Sequence, residues 1–254
     1  MIASLQSSRV FALSILAGLI AGGIAVAANA ALVQPYTNAI VELWIDELLA
    51  EGEFDEEEFD LQAQSIYSSQ VTGYIINGLA AGALVGGVYV FSSSSSNSKL
   101  PTAAATTTTT ITSPFKVAVM IAGAAWFVLY VVPAVKYPPS PEALLDSGAA
   151  GSYYPLYAGY VTVSGLSALG IATGFRRVKR KDKMFGMAAL YLAVMAAVFF
   201  AFPDYQEDTL LFPQQPVVNA WRASISAAMT ALWFAAGMIS GLLWTYGRKS
   251  AKAI

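Results

Sequence analysis

The chain has 254 residues, of which 56% are hydrophobic and only 12% charged, with a mean hydropathy of +0.57; a soluble domain of this composition would be short of polar residues for its surface, so the chain falls in the membrane class. Cys and His are both absent, which excludes disulfides, thiolate ligation, zinc or haem centres built by this chain alone, and any nucleophile–base pair that needs an imidazole. The net charge of −2 is uninformative as a total; its distribution along the chain carries the signal.

The first apolar run, 10–33, follows Arg9 and is long enough to cross a hydrocarbon core, which takes about 20 helical residues. Gly18 and Gly22 stand at the spacing that lets another helix approach closely. Ala28-Asn29-Ala30 resembles a signal-peptidase site, but the apolar stretch exceeds the usual signal core, so an uncleaved helix is expected. The segment 34–70 is different in kind. After Gln34-Pro35, the residues Ile40, Val41, Trp44, Ile45, Leu48 and Leu49 recur at helical spacing, with Glu42 and Asp46 on the opposite face. This predicts a surface-lying amphipathic helix capped by Thr37 or Asn38. Its continuation, EGEFDEEEFD, is crowded with carboxylates and reads as a solvated loop, with a cation-collecting mouth as the sharper alternative. EF-hand spacing is missing.

The second span, 71–91, repeats Gly78, Gly82 and Gly86 every four residues, a close-packing face. The Ser/Thr-rich segment 92–114 is low in complexity and reads as a flexible linker. The third span, 117–135, leaves through KYPPSP, whose prolines lack donors and stiffen the exit. The fourth, 154–174, is introduced by Tyr153, Tyr154, Tyr157 and Tyr160, aromatics suited to the headgroup level.

Next comes the basic loop FRRVKRKDK, 175–183, then the fifth span, 184–202, which ends at Pro203, and the sixth, 217–246, with Gly237 and Gly241 at packing spacing. Short basic loops stay cytoplasmic. Six helices with both termini cytoplasmic place Arg9, Lys99, Lys116, the basic loop, Arg248, Lys249 and Lys252 inside, leaving Lys136 and Arg222 as the outward cations. The expected architecture is therefore all-α, a single multi-pass domain in the cell membrane. Pro at each odd-span exit (VQPY, KYPPSP, AFPDY) suggests three related hairpins.

A cation at the membrane boundary must snorkel or find a partner. Pairing Lys136 and Arg222 with Glu42, Asp46 or Glu47 would make an outer polar cluster, the place to look for function. Nothing here has the nucleophile–base spacing of an enzyme, and the phosphate-binding G-x-x-x-x-G-K-[ST] loop does not occur.

QPYTNAIVE (34–42), KYPPSP (136–141) and WRASISAAMTALWFAAG (221–237), in this order, resemble CbtA, a family of integral membrane proteins described as probable cobalt transporter subunits. The family's usual Glu-Pro is Gln34-Pro35 here, and its Asn-Pro-Pro-Ala continuation is replaced by Ser140-Pro141-Glu142. The resemblance implies cobalt(II) as the transported ion, no tightly bound cofactor, and a small membrane partner of the CbtB type that bears the metal-binding His. It points to Pro35, Glu42, Lys136, Tyr137, Pro138 and Arg222. Glu42 and Asp46 would offer oxygen donors for a weak, exchangeable metal site. The bilayer is the other partner, and no nucleic acid is expected. The competing reading is a structural or assembly subunit of a larger membrane complex, favoured by the scarcity of charge within the spans.

Overall fold

The computed structural model describes residues 2–51, 56–96, 113–175, 183–206 and 214–250. The basic loop before Lys183, most of the Ser/Thr-rich segment, positions 52–55 of the acidic stretch and the last four residues lie outside the described residues. Within them every long element is a helix, and six helices are long and apolar enough to cross a membrane. The helices are α1 (Ile2–Ala28), α2 (Gln34–Glu51), α3 (Glu56–Ser96), α4 (Pro114–Trp126), α5 (Val132–Lys136), α6 (Glu142–Leu145), α7 (Ser147–Gly174), α8 (Lys183–Ala201) and α9 (Gln215–Ser250).

Three expectations are corrected, two of them at prolines. Pro35 does not end the first helix, and neither Thr37 nor Asn38 caps a new one. The chain instead widens into a π-helical turn, Asn29–Val33, and runs on into α2, so that Ser7–Asp46 forms one apolar helical stretch. In the same way Pro133 does not stop the third span, because a π-helical turn, Phe127–Val131, precedes it and α5 continues to Lys136. The physical reason is shared. A proline ring collides with the carbonyl four residues back, and a turn that is one residue wider relieves that collision at the cost of one hydrogen bond. The residues from Glu56 to Asp60, read as part of a solvated loop, form the first turns of α3.

The chain forms two compact units. The first comprises 1–35, 57–124 and 224–254, and the second 36–56 and 125–223. In the first, backbone meets backbone. A Cβ added to Gly82 would lie 2.9 Å from the Gly18 Cα, and one added to Gly78 would lie 2.7 Å from the Gly22 Cα. Gly86 faces Ser14, whose Cβ would be 2.7 Å away. The lower half of α9 meets α4 by the same means, through Gly237 at Ala122 and Gly241 at Phe115. Trp244 closes this core. Its Nε1 donates to Ser14 Oγ at 3.0 Å, its ring lies 4.3 Å from that of Tyr89, and Val85, Ala118 and Ala122 pack around it.

The second unit is built on aromatic contacts instead. Tyr137, Tyr153, Tyr160, Tyr191 and Met195 form its core, with Phe202 edge-on to Tyr160 at 5.3 Å. Asp146 starts α7 by accepting from the Gly148 and Ala149 amides at 3.0 and 2.9 Å, an N-cap worth about 1 kcal/mol.

Because no side chain fits between α1 and α3, Gly82→Val is expected to cost on the order of 1–3 kcal/mol or prevent folding. Gly87→Ala, where an added Cβ meets nothing within 4 Å, should be neutral. Thermal unfolding of the two variants in detergent makes the comparison.

Candidate functional site

Several polar side chains of the second unit gather at one end, where α5 stops, α7 begins, α8 stops and α9 begins. The linking segment Tyr137–Pro141 has three prolines, and so has carbonyls in excess of amide donors. Side chains from the surrounding helices make up the deficit. Tyr153 Oη donates to the carbonyls of Pro138 at 2.9 Å and Tyr137 at 3.2 Å. Arg222 Nε donates to the Pro139 carbonyl at 2.9 Å. Ser140 Oγ turns inward and accepts from the Ala143 amide at 3.3 Å, starting α6. The segment is thus a strap tied down from α7 on one side and α9 on the other.

Its first two residues reach the end of α8. Lys136 forms an ion pair with Asp204, and its ammonium stands 4.6 Å from the Phe199 ring centroid. The lysine side chain is only 4% exposed, whereas Asp204 is 83% exposed. The aliphatic stem is therefore covered while the carboxylate meets solvent, which keeps the pair's contribution modest. Tyr137 is fully buried, and its hydroxyl donates to the Pro203 carbonyl at 2.5 Å. Burial raises the Tyr137 pKa; the Lys136 ammonium works against this and Asp204 adds to it. The phenol therefore stays a donor across the physiological range. Tyr205 donates to Glu142 Oε2 at 3.1 Å, and Trp221 Nε1 donates to Thr37 Oγ1 at 3.1 Å, which ties the start of α9 to the first turn of α2.

The sequence-predicted residues divide accordingly. Lys136, Tyr137, Pro138 and Arg222 come together around the strap. Lys136 takes Asp204 as its partner rather than Glu42 or Asp46, a correction that follows from Pro203 setting Asp204 beside the end of α5. Glu42 and Asp46 lie one helical turn apart on α2, and both are exposed. Glu47 occupies the same helix, and Pro35 is exposed at its start. Among the described residues, no three carboxylates converge as a ready-made metal site. Asp204, Tyr153, Glu142 and Tyr205 were missed as parts of this cluster, although the AFPDY sequence placed an acid directly after a span-ending proline.

Residues 7–245 match the family model of CbtA, described as a probable cobalt transporter subunit. The chain belongs to the CbtA family. No curated protein and no solved structure matches it. This CbtA member is a multi-pass membrane protein, and its family is one of transporter subunits. The matched residues take in both the glycine contacts and the strap.

Arg222→Met removes a charged donor from the strap and is expected to cost about 1.5–3 kcal/mol. Arg222→Lys should recover only part of this, since an ammonium lacks the planar fork. Tyr137→Phe should cost about 1 kcal/mol. It should also flatten the alkaline limb of stability, because a raised phenol pKa contributes stability below its unfolded value of about 10 and loses it as pH climbs through the folded one. Denaturation of the three variants across pH checks both statements.

Proposed function

We propose that this chain is the membrane subunit of a cobalt uptake transporter, working with a small partner of the CbtB type that supplies an imidazole ligand. The single observation that carries the reading is the family match over 7–245. The composition agrees with it, since a chain without His or Cys can offer a borderline metal neither imidazole nor thiolate. The partner's nitrogen would complete a coordination that this chain alone leaves weak. Glu42 and Asp46, exposed on one face of α2, are suited to concentrate cations, and the strap around Lys136, Tyr137, Pro138 and Arg222 fixes the end of the unit that α2 joins. Inward movement of a divalent cation gains about 2.3 kcal/mol per charge per 100 mV of membrane potential.

The proposed topology has six spans in three hairpins with both termini cytoplasmic. Because the chain has no native Cys, single cysteines report sidedness without background. Gln206→Cys should react with an impermeant maleimide in intact cells, and Val178→Cys in the basic loop should react only after lysis. The reverse pattern would invert the orientation.

Uptake is tested with labelled cobalt in cells lacking their own importer, with and without the candidate partner. Partner-dependent accumulation, reduced several-fold in Glu42→Gln combined with Asp46→Asn, is the expected result. Normal membrane expression with no cobalt or nickel accumulation would favour a structural subunit instead.

A further inference from the structure

Hydroxyls within the spanning helices share a habit. Ser14, Thr162, Thr173, Thr230 and Thr245 each donate to the carbonyl four residues back on their own helix, at 2.7–2.9 Å. Ser164 on α7 departs from it. By that habit its partner would be the Tyr160 carbonyl, but its fully buried Oγ crosses instead to the Val128 carbonyl, inside the widened turn Phe127–Val131. Tyr191 Oη on α8 lies 2.7 Å from the same Oγ. A serine hydroxyl has one proton, and Val128 takes it, so Tyr191 is the donor in the second bond. The relay therefore runs one way, from Tyr191 to Ser164 to Val128.

The carbonyl at its end is the one that the widened turn releases. The Val132 amide bonds back to the Phe127 carbonyl, and Pro133 has no N–H to give to Val128. A helix can also pass a proline by kinking at an ordinary turn. In that course the Val132 amide would serve Val128, and the Leu129 carbonyl would go without a donor. The two courses differ in which carbonyl is left over, and within a bilayer a leftover carbonyl needs a donor from a neighbour. The donor stands at Val128. Packing agrees with it. The Tyr191 ring lies 6.4 Å from that of Phe127, the first residue of the turn, and Gly165 leaves room for Leu129, whose Cδ2 would be 3.1 Å from an added Cβ.

We propose that Ser164 and Tyr191 set the register of the third span, selecting the widened turn over the ordinary one and so aiming the residues beyond it at the end of α8. Losing the extra residue of the widened turn would rotate everything after it by about 100° around the helix axis. Lys136 and Tyr137 would then turn away from Asp204 and the Pro203 carbonyl, which they now meet. α8 thus grips the third span on both sides of Pro133, through Tyr191 before it and through Pro203 and Asp204 after it. Two hydroxyls in the interior of the unit act as positioning residues for the polar cluster at its end.

The test measures the distance between spin labels on Val135→Cys and Thr173→Cys in the purified full chain, both exposed positions in a protein with no cysteine of its own. Seven residues of the third span and nine of α7 separate the labels from the Val128–Ser164 contact, roughly 24 Å of helix rise. A single distance is expected with Ser164 and Tyr191 in place. Ser164→Ala should bring in a second distance, several ångströms from the first, and Ser164→Thr, which keeps the hydroxyl, should restore the first. Tyr191→Phe should populate the second distance as well, because Ser164 then falls back on its own helix; this variant serves if the alanine variant does not fold. Thr162→Val, which deletes a hydroxyl of the habitual kind on the same helix, should leave the distance as it was. One unchanged distance in Ser164→Ala and Tyr191→Phe would overturn the inference. So would an equal change in Thr162→Val, since that would mark a general loosening of α7.

Discussion

Inside a bilayer no water serves the backbone, so every carbonyl that loses its amide partner must be answered by another group. This chain creates the problem repeatedly, because prolines stand within or directly after its spans at 35, 133, 138, 139, 141, 155 and 203. Several of the polar side chains described above stand where a proline has removed a donor. Ser164 answers for Pro133, and Tyr153 and Arg222 answer for the strap.

Hydropathy and glycine spacing made the helical architecture legible, because both depend on local sequence. Six apolar stretches show in any sliding window, and a glycine every fourth residue marks a face without side chains. The course of the chain at Pro35 and Pro133 was not legible. A proline in a sequence argues for a stop, and only the surrounding helices decide whether the backbone breaks or widens to pass it. The cluster at the strap was half legible for a related reason. Lys136 and Arg222 stand out as cations at span ends, but Asp204 is 68 positions from Lys136 and becomes its partner only when α5 and α8 end side by side. Tyr153 reads as an interfacial aromatic, and its hydroxyl serves instead as a donor to two strap carbonyls.

The absence of imidazole and thiolate from the chain shapes any account of what it does with metal. On the proposed reading, a borderline cation such as cobalt(II) would find no imidazole or thiolate in this chain, and tighter ligands would come from a partner. That division suits a subunit that hands its cargo on. A chain equipped with its own imidazoles would hold the ion more firmly and release it more slowly.

The contact between Gly18, Gly22, Gly78 and Gly82 has a mechanical meaning as well as a packing one. With backbones this close, neither helix can slide or rotate against the other without collision, so α1 and α3 behave as a single strut along their shared face. Flexure in the first unit then falls where the hydrogen-bond ladder is already loosened, in the widened turn that begins at Asn29, beyond the glycine contacts of α1. At that turn the buried Asn29 side chain ties the compliant joint to Gln70 on α3.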